Sequence, residues 1–363
     1  GSSDPSVEPS KIEYVHELVR CLATKILSYG GGLVITVGSE PKHQGETALP
    51  LIFDWTLLEA LDEYCSALSW PEAQGAPVVA VGLPRWREKM PGNRVPLWER
   101  VIATRNIELF QTKLSIGGVL REQQSIFGDI LVAIGGGPGV EHLAELYMSK
   151  RKPVIPLDLP IRAKPSAAER LSEQAIVAPE QFFHYMPAHR AAAAYSRLSS
   201  KDARLDANEF VRRLLDFLAH LPRPTAFFAR LMDRELPDFI DVEKFFRNVI
   251  DPVVKDSGYK RFEAGMDVSR EPFLNLEIFL KLHYSSLAIA DLTGLRPNCF
   301  MELGYALGQG KKTILTARKG TTLPFDSKAI PCHFWSVELD DNARKREFQD
   351  FMNKNINRRP IVT

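Results

Sequence analysis

The chain reads as an α/β protein made of two Rossmann-like parallel-sheet domains joined by a helical connector. Three observations predict it. Short, continuous apolar runs, among them LVITV at 33–37, ILVAI at 130–134 and LAIA at 287–290, suit strands buried on both faces. These runs alternate with helical stretches, the order that a parallel sheet requires. Finally, 363 residues exceed one ordinary domain, and Pro222 and Pro224 mark the best boundary. The expected divisions are 11–165, a connector at 166–222, and 223–359.

Composition narrows the function classes. An apolar fraction of 45% is ample for α/β cores, and 25% charged residues is ordinary for a soluble protein. A formal net charge of +1 argues against binding nucleic acid by phosphate neutralisation, so no direct nucleic-acid contact is expected. Cys21, Cys65, Cys299 and Cys332 form no Cys-x-x-Cys pair and read as reduced thiols, with neither disulfides nor a metal site. No run reaches the length of a membrane span and no signal peptide is visible, so the expected location is cytoplasmic with no membrane partner. Gly1-Ser2 reads as an expression scar.

In the first domain, residues 13–29 place Val15, Leu18, Val19, Leu22 and Ile26 on one helical face. A strand at 33–37 ends at Gly38, followed by a helix at 56–68 and a strand at 78–84. Residues 84–96, rich in Arg, Lys and Pro, read as a loop. A helix at 117–127 leads into the strand at 130–134, then Gly135-Gly136-Gly137-Pro138-Gly139, a helix at 140–149 and a strand at 153–157. Strand, glycine loop and helix let backbone N–H groups approach a phosphate; a tight turn without a ligand is the competing reading. The loop lacks the Gly-Lys-Ser/Thr ending of a Walker loop, and it does not fit Gly-x-Gly-x-x-Gly with its acidic partner. Residues 164–222 lack strand patterning and look helical at 167–171, 191–198 and 207–221. They can close the first domain, connect, or serve as an oligomerisation surface. His184, His189 and His220 show no ligand-like spacing.

The second domain opens with a strand at 226–232, then a helix at 242–255 ended by Ser257-Gly258, a strand at 259–264 and a helix at 276–283. Asp291 closes the central strand, Thr293 and Gly294 punctuate a turn, and Pro297 suits the first position of a helix. Phe300, Leu303 and Leu307 share one face of that helix, Gly304 permits close packing, and Glu302 is expected to point away from the core. Asp291, Asn298 and Glu302 thus gather at the carboxyl end of a strand, where open α/β sheets bind ligands. Arg230, at the end of the first strand, is a candidate phosphate contact; a surface salt bridge is its alternative. A further strand follows at 312–316.

Two stretches resemble known families. ADLTG-x-x-PN-x-x-x-ELGYA-x-x-x-GKK, with the later TLPFDSKAIPCHFW, resembles the nucleoside 2-deoxyribosyltransferase-like group and its TIR-like relatives over about residues 223–359. In that group the glutamate of the ELG segment cleaves N-glycosidic bonds. The resemblance therefore implies a catalytic role for Glu302, with Asp291 and Asn298 on sugar hydroxyls or base. FEAGMDVSREP stands where many relatives carry an Arg-Ala-Asp-Glu-like strand. ILVAIGGGPGVEHLAEL followed by KRKPVIPL resembles the SLOG group, relatives of the LOG phosphoribohydrolases, over about residues 11–165. LOG-type enzymes carry Gly-Gly-x-Gly-Thr-x-x-Glu. Here Gly136, Gly137 and Gly139 are kept, Val140 replaces the Thr, and Leu143 occupies the Glu position, with Glu141 and Glu145 on other helical faces. This implies a binding pocket without hydrolysis, and Gly38, Arg121, Gly136, Gly137 and Gly139 as messenger-binding residues.

Together the resemblances imply an antiphage effector. The first domain would bind a small nucleotide messenger of the cyclic ADP-ribose type. The second would cleave NAD or a related nucleotide, with Glu302 stabilising or trapping the oxocarbenium-like ribose. NAD enters as substrate and no cofactor is expected. Such effectors assemble, so a homo-oligomer is expected. Two other readings stand beside this one: a metabolic nucleoside or deoxynucleotide N-glycosidase or deoxyribosyltransferase, and a non-enzymatic nucleotide sensor.

Overall fold

The computed structural model describes residues 1–38, 43–45, 49–67, 76–162, 164–184, 188–198, 206–263, 274–324 and 330–356. The chain divides into two compact units, Gly1–Pro222 and Arg223–Thr363.

Unit 1 begins with α1 (Pro9–Ser28), whose proline at the first helical position removes an N–H that would lack a partner. There follow β1 (Leu33–Val37), α2 (Asp54–Ala67), β2 (Val78–Gly82), α3 (Val95–Ala103), β3 (Ile107–Gln111), α4 (Gly117–Phe127), β4 (Leu131–Ile134), α5 (Pro138–Ser149) and β5 (Val154–Leu157). The strands form two parallel sheets, β1-β2-β3 and β4-β5. Reading residues 84–96 as a loop left α3 and β3 unassigned. The buried positions Leu97, Trp98 and Val101 give α3 its apolar stripe, and Ile107 and Phe110 are the inward residues of β3. Ser2 bridges to both Ile52 and Gly135, and the Ser3 amide donates to the Leu51 carbonyl, so the opening residues are built into the unit.

The segment expected to connect the domains is instead part of unit 1. α6 (Ala167–Val177), α7 (Pro179–Phe183), α8 (Ala188–Leu198) and α9 (Ala207–Ala219) bury Leu171, Phe183, Tyr195, Val211, Leu214 and Phe217. These share a single core with Val15, Leu18 and Val19 of α1 and Val154 and Ile155 of β5. Phe183 lies 4.9 Å from the Tyr195 ring and 5.0 Å from that of Phe217, contacts worth about 0.5–1.5 kcal/mol each beyond area burial. α6 starts on a reciprocal cap, the Ser166 hydroxyl accepting from the Glu169 amide while the Glu169 carboxylate accepts from the Ser166 amide.

Unit 2 contains β6 (Thr225–Ala229), α10 (Phe239–Phe245), a π-helical turn (Phe246–Ile250), α11 (Asp251–Asp256), β7 (Lys260–Glu263) and α12 (Leu274–Tyr284). β8 (Leu287–Asp291), α13 (Pro297–Gly308), β9 (Lys312–Arg318), β10 (Cys332–Trp335) and α14 (Asp341–Asn355) complete it. The sheet is parallel throughout, in the order β10-β9-β8-β6-β7. All five residues of β8 are buried, as its continuous apolar run requires. Phe228, Ile289 and Ile314 face α10 and the π turn on one side; Phe227, Ala288, Ala290 and Leu315 face α13 on the other. β6 pairs with β7 on one flank and β8 on the other, so strand order reverses at β6/β8. In open α/β sheets such a reversal is where ligands bind, at the carboxyl ends of the strands.

Gly304 corrects one expectation. It is exposed, and a Cβ added there would meet nothing within 4 Å, so close packing does not require it. Gly304→Ala is therefore expected to raise unit 2 stability by about 0.5–1 kcal/mol, read as a higher melting midpoint. Among the described residues no helix is long and apolar enough to cross a membrane.

Candidate active site

The last residue of β8 fixes the framework. Asp291 Oδ1 accepts the Thr293 amide at 3.1 Å, and Oδ2 accepts the Thr316 hydroxyl at 2.7 Å and the Trp335 indole N–H at 3.0 Å. The residue is 1% exposed. Burial pushes its pKa up, and the donors from Thr316, Thr293 and Trp335 oppose that shift. Asp291 was expected on the sugar. Its surroundings correct this: both oxygens are used inside the sheet, tying β8 to β9 and β10, and none is presented to a ligand.

Glu302 requires the opposite correction. The buried face of α13 is Cys299, Glu302, Leu303 and Ala306, the i, i+3, i+4, i+7 stripe of a core-facing helix. Glu302 thus points inward and is 8% exposed. Burial alone raises its pKa to about 7; among the described residues no donor or cation stabilises the anion. A carboxyl held this way has a proton poised near neutrality and a charge available to whatever enters beside it. Helical side chains lean toward the helix N-terminus, which carries this carboxyl toward Asn298 and Cys299. The Cys299 thiol feels the Glu302 and Asp291 charges and is pushed up to about 12, chiefly by burial, so it stays protonated and is no nucleophile.

Asn298 is exposed at the second position of α13. Arg230 follows β6, but its side chain is only 3% exposed. It bonds Glu243 at 2.5 Å and lies 5.3 Å from the Phe246 ring. The expected phosphate contact is therefore replaced by a salt bridge, the alternative reading, with the arginine buried and Glu243 35% exposed. Sequence reading missed Arg318 at the end of β9. Its Nη1 lies 3.1 Å from Asp238 and 3.0 Å from Asp241, and its amide donates to the Thr293 hydroxyl at 2.9 Å. Arg296 approaches Asp233 at 3.9 Å. The available signal was positional: each is a charged residue just beyond an apolar strand or at a helix start on one sheet edge.

In unit 1 the glycine loop runs from β4 into α5. Gly135 and Gly136 have φ of 56° and 78°, which favours glycine. The Gly136 amide donates to the Ser2 carbonyl at 2.8 Å, and the Gly136 carbonyl accepts from Arg162 Nη1 at 2.6 Å, so Gly136 is engaged internally. Gly137 and Gly139 flank Pro138 at the start of α5. Arg121 donates to His142 Nδ1 at 3.0 Å, and its Nη1 lies 3.3 Å from where a Cβ on Gly139 would sit. The structure thus brings Arg121, Gly137, Gly139 and the unforeseen Arg162 to one helix start. Gly38, with φ of 151°, ends β1 in the other sheet, and no atom lies within 4 Å of its Cβ position. Glu141 pairs with Arg170 at 2.6 Å and Glu145 is exposed.

Fold and loops define a two-unit α/β protein with a glycine-lined helix start in one unit and a buried carboxyl near the switch point of the sheet in the other. Residues 1–218 match the family described as ATP nucleosidase Cap17-like, N-terminal, and the chain belongs to that family. A stretch of 162 residues is 29% identical to the ATP nucleosidase Cap17 of Escherichia coli strain KTE188, covering 44% of this chain and 31% of that protein. The ATP nucleosidase Cap17 of Escherichia coli matches with the same identity and coverage. The chain therefore spans about a third of the length of these curated relatives.

Proposed function

We propose that the chain is a nucleotide N-glycosidase whose reaction is carried by Glu302. The observation that carries this reading is the carboxyl itself: nearly buried, without a donor or cation among the described residues, and raised to about 7 at the carboxyl edge of a parallel sheet. Such an anion is costly at rest and is relieved by a substrate that develops positive charge. As the C1′–N bond lengthens, its electron pair leaves with the base and the ribose becomes oxocarbenium-like. The Glu302 carboxylate stabilises C1′ by charge or by bonding to it. Water then supplies the hydroxyl that completes the ribose, and its proton goes to the departing base.

NAD is one proposed substrate. The name of the Cap17 relatives, ATP nucleosidase, adds ATP as a second. The family match ends at residue 218, so support for chemistry at Glu302 rests on its geometry and on the resemblance of the ELG segment. Unit 1 is proposed to bind a nucleotide messenger of the cyclic ADP-ribose type through Arg121 and the Gly137 and Gly139 backbone. Binding there would switch unit 2 on within a homo-oligomeric antiphage effector. The test is base release, followed by chromatography, from NAD, ATP and deoxynucleosides, with and without cyclic ADP-ribose isomers. Messenger-dependent release from NAD or ATP is expected. Release from deoxynucleosides alone, independent of messenger, points to the metabolic enzyme. Binding without turnover of any substrate overturns the glycosidase reading in favour of a sensor.

A further inference from the structure

We propose that Arg318 recognises a substrate phosphate in unit 2, making a nucleotide, rather than a free nucleoside, the class that fits there. This rests on the glycosidase reading and adds to it the group that Glu302 does not touch.

Two arginines lie near the carboxyl edge of the sheet, and they differ in accessibility. The Arg230 side chain is 3% exposed, packed on Phe246 and paired with Glu243, so it presents little of itself to a ligand. Arg318 is different: its side chain is 34% exposed, and its partners Asp238 and Asp241 are 32% and 34% exposed. Half-exposed ion pairs contribute little net stability, because water solvates the separated charges almost as well. Both acids meet the same nitrogen, Nη1, and a guanidinium has five donors in a planar fork, a geometry that suits a phosphate. The two carboxylates also have a second reason to sit where they do. Asp238 and Asp241 lie at the start of α10, where negative charge is favoured by the helix dipole, so releasing Arg318 does not strand them.

Position then links Arg318 to the reaction. β9 pairs with β8 so that Asp291 is opposite Thr316, which places Arg318 just beyond the shared edge. Its amide bonds Thr293, and Asp238 lies 3.7 Å from the Cβ position of Gly294, so the cluster borders the turn that starts α13. At that helix start Pro297 has no N–H and the Phe300 amide bonds the Arg296 carbonyl. Glu302 is nine-tenths buried, without a donor among the described residues, and leans toward the same end of α13. A ribose between a phosphate held by Arg318 and the Glu302 carboxyl would present C1′ to the latter.

The test uses the full chain carrying Glu302→Gln, so that ligands bind without turnover, and titrates ATP, AMP and adenosine calorimetrically. Arg318→Ala is expected to weaken nucleotide binding roughly 10- to 100-fold and to leave adenosine unchanged. Asp238→Asn with Asp241→Asn is expected to tighten nucleotide binding, an outcome that misfolding cannot produce. Arg121→Ala in the same background assigns any binding that belongs to unit 1. Equal loss for nucleotide and nucleoside, or a nucleotide preference that survives Arg318→Ala, overturns the proposal. The glycosidase reading fails on a separate result: base release by wild-type protein that Glu302→Gln leaves unchanged.

Discussion

Glu302→Gln is expected to reduce base release about 10²- to 10⁴-fold, the range associated with loss of a positioned carboxyl, while the protein stays folded. Gln matches the shape and loses only the charge and the titrating proton. If the carboxylate acts at C1′, wild-type rate rises with pH through about 7 and then levels, following deprotonation of Glu302. A rate that falls across that range would instead make Glu302 a proton donor. Stability moves the other way. Below its ordinary value of 4.5 the group is protonated in both folded and unfolded chains. From 4.5 to about 7 the unfolded chain ionises while the folded one holds its proton, so stability falls as pH rises, and above about 7 the loss is complete. The full loss is about 3 kcal/mol. The Gln variant does not undergo it, so its stability advantage over wild type should grow between pH 5 and pH 8 in denaturant titrations. Equal stability of the two proteins at pH 8 would show that the carboxyl is solvated after all.

Asp291→Ala is expected to cost unit 2 about 3 kcal/mol or more, because three donors, the Thr293 amide, the Thr316 hydroxyl and the Trp335 indole, lose their acceptor inside the sheet. Trp335 is fully buried and stacks on Phe245 at 4.4 Å, so it cannot turn to water without disturbing the core. Asp291→Asn should recover part of the loss. Its oxygen still accepts, but its NH₂ group must face one of the former donors. Thermal melts of both variants, with base release measured well below each midpoint, separate the roles. A framework residue loses stability first and activity with it. A sharp loss of activity in a fully folded Asp291→Asn would return the residue to the substrate.

The strand framework was legible in the sequence because buried parallel strands are written as uninterrupted apolar runs. LAIA at 287–290 and LVITV at 33–37 are β8 and β1. The grouping of Asp291, Asn298 and Glu302 on one edge was also legible, since it follows from strand–turn–helix order. Phase was not. Phe300 and Leu307 do pack half-buried against the core, but the fully buried stripe is centred on Cys299, Glu302, Leu303 and Ala306, so Glu302 turns inward and Gly304 is exposed. A short helix with apolar residues on several faces leaves this choice to packing. β10 escaped because a run as short as Cys332–Trp335 carries little periodicity. The Arg318–Asp238 pair, 80 residues apart in the chain, exists only once β9 and β6 take their places in the sheet.

The π turn at Phe246–Ile250 sets a relation between two ends of one rod. Along it the buried pairs Phe245 and Phe246, Val249 and Ile250, and Val253 and Val254 recur every four residues, slower than the 3.6 of an α-helix. A uniform α-helix would let that stripe drift off the sheet; the wider turn takes up the drift. The π turn therefore keeps α10 and α11 seated on one core. Losing one residue there would close the wider turn into a plain α-helix with both ends still seated on the sheet, so Asp238 and Asp241 would stay beside Arg318. A one-residue loss at this turn, far from Glu302 in sequence, is thus absorbed before it reaches the acids that hold the cation. The turn buffers that edge of the sheet against a change in the length of the helix that covers it.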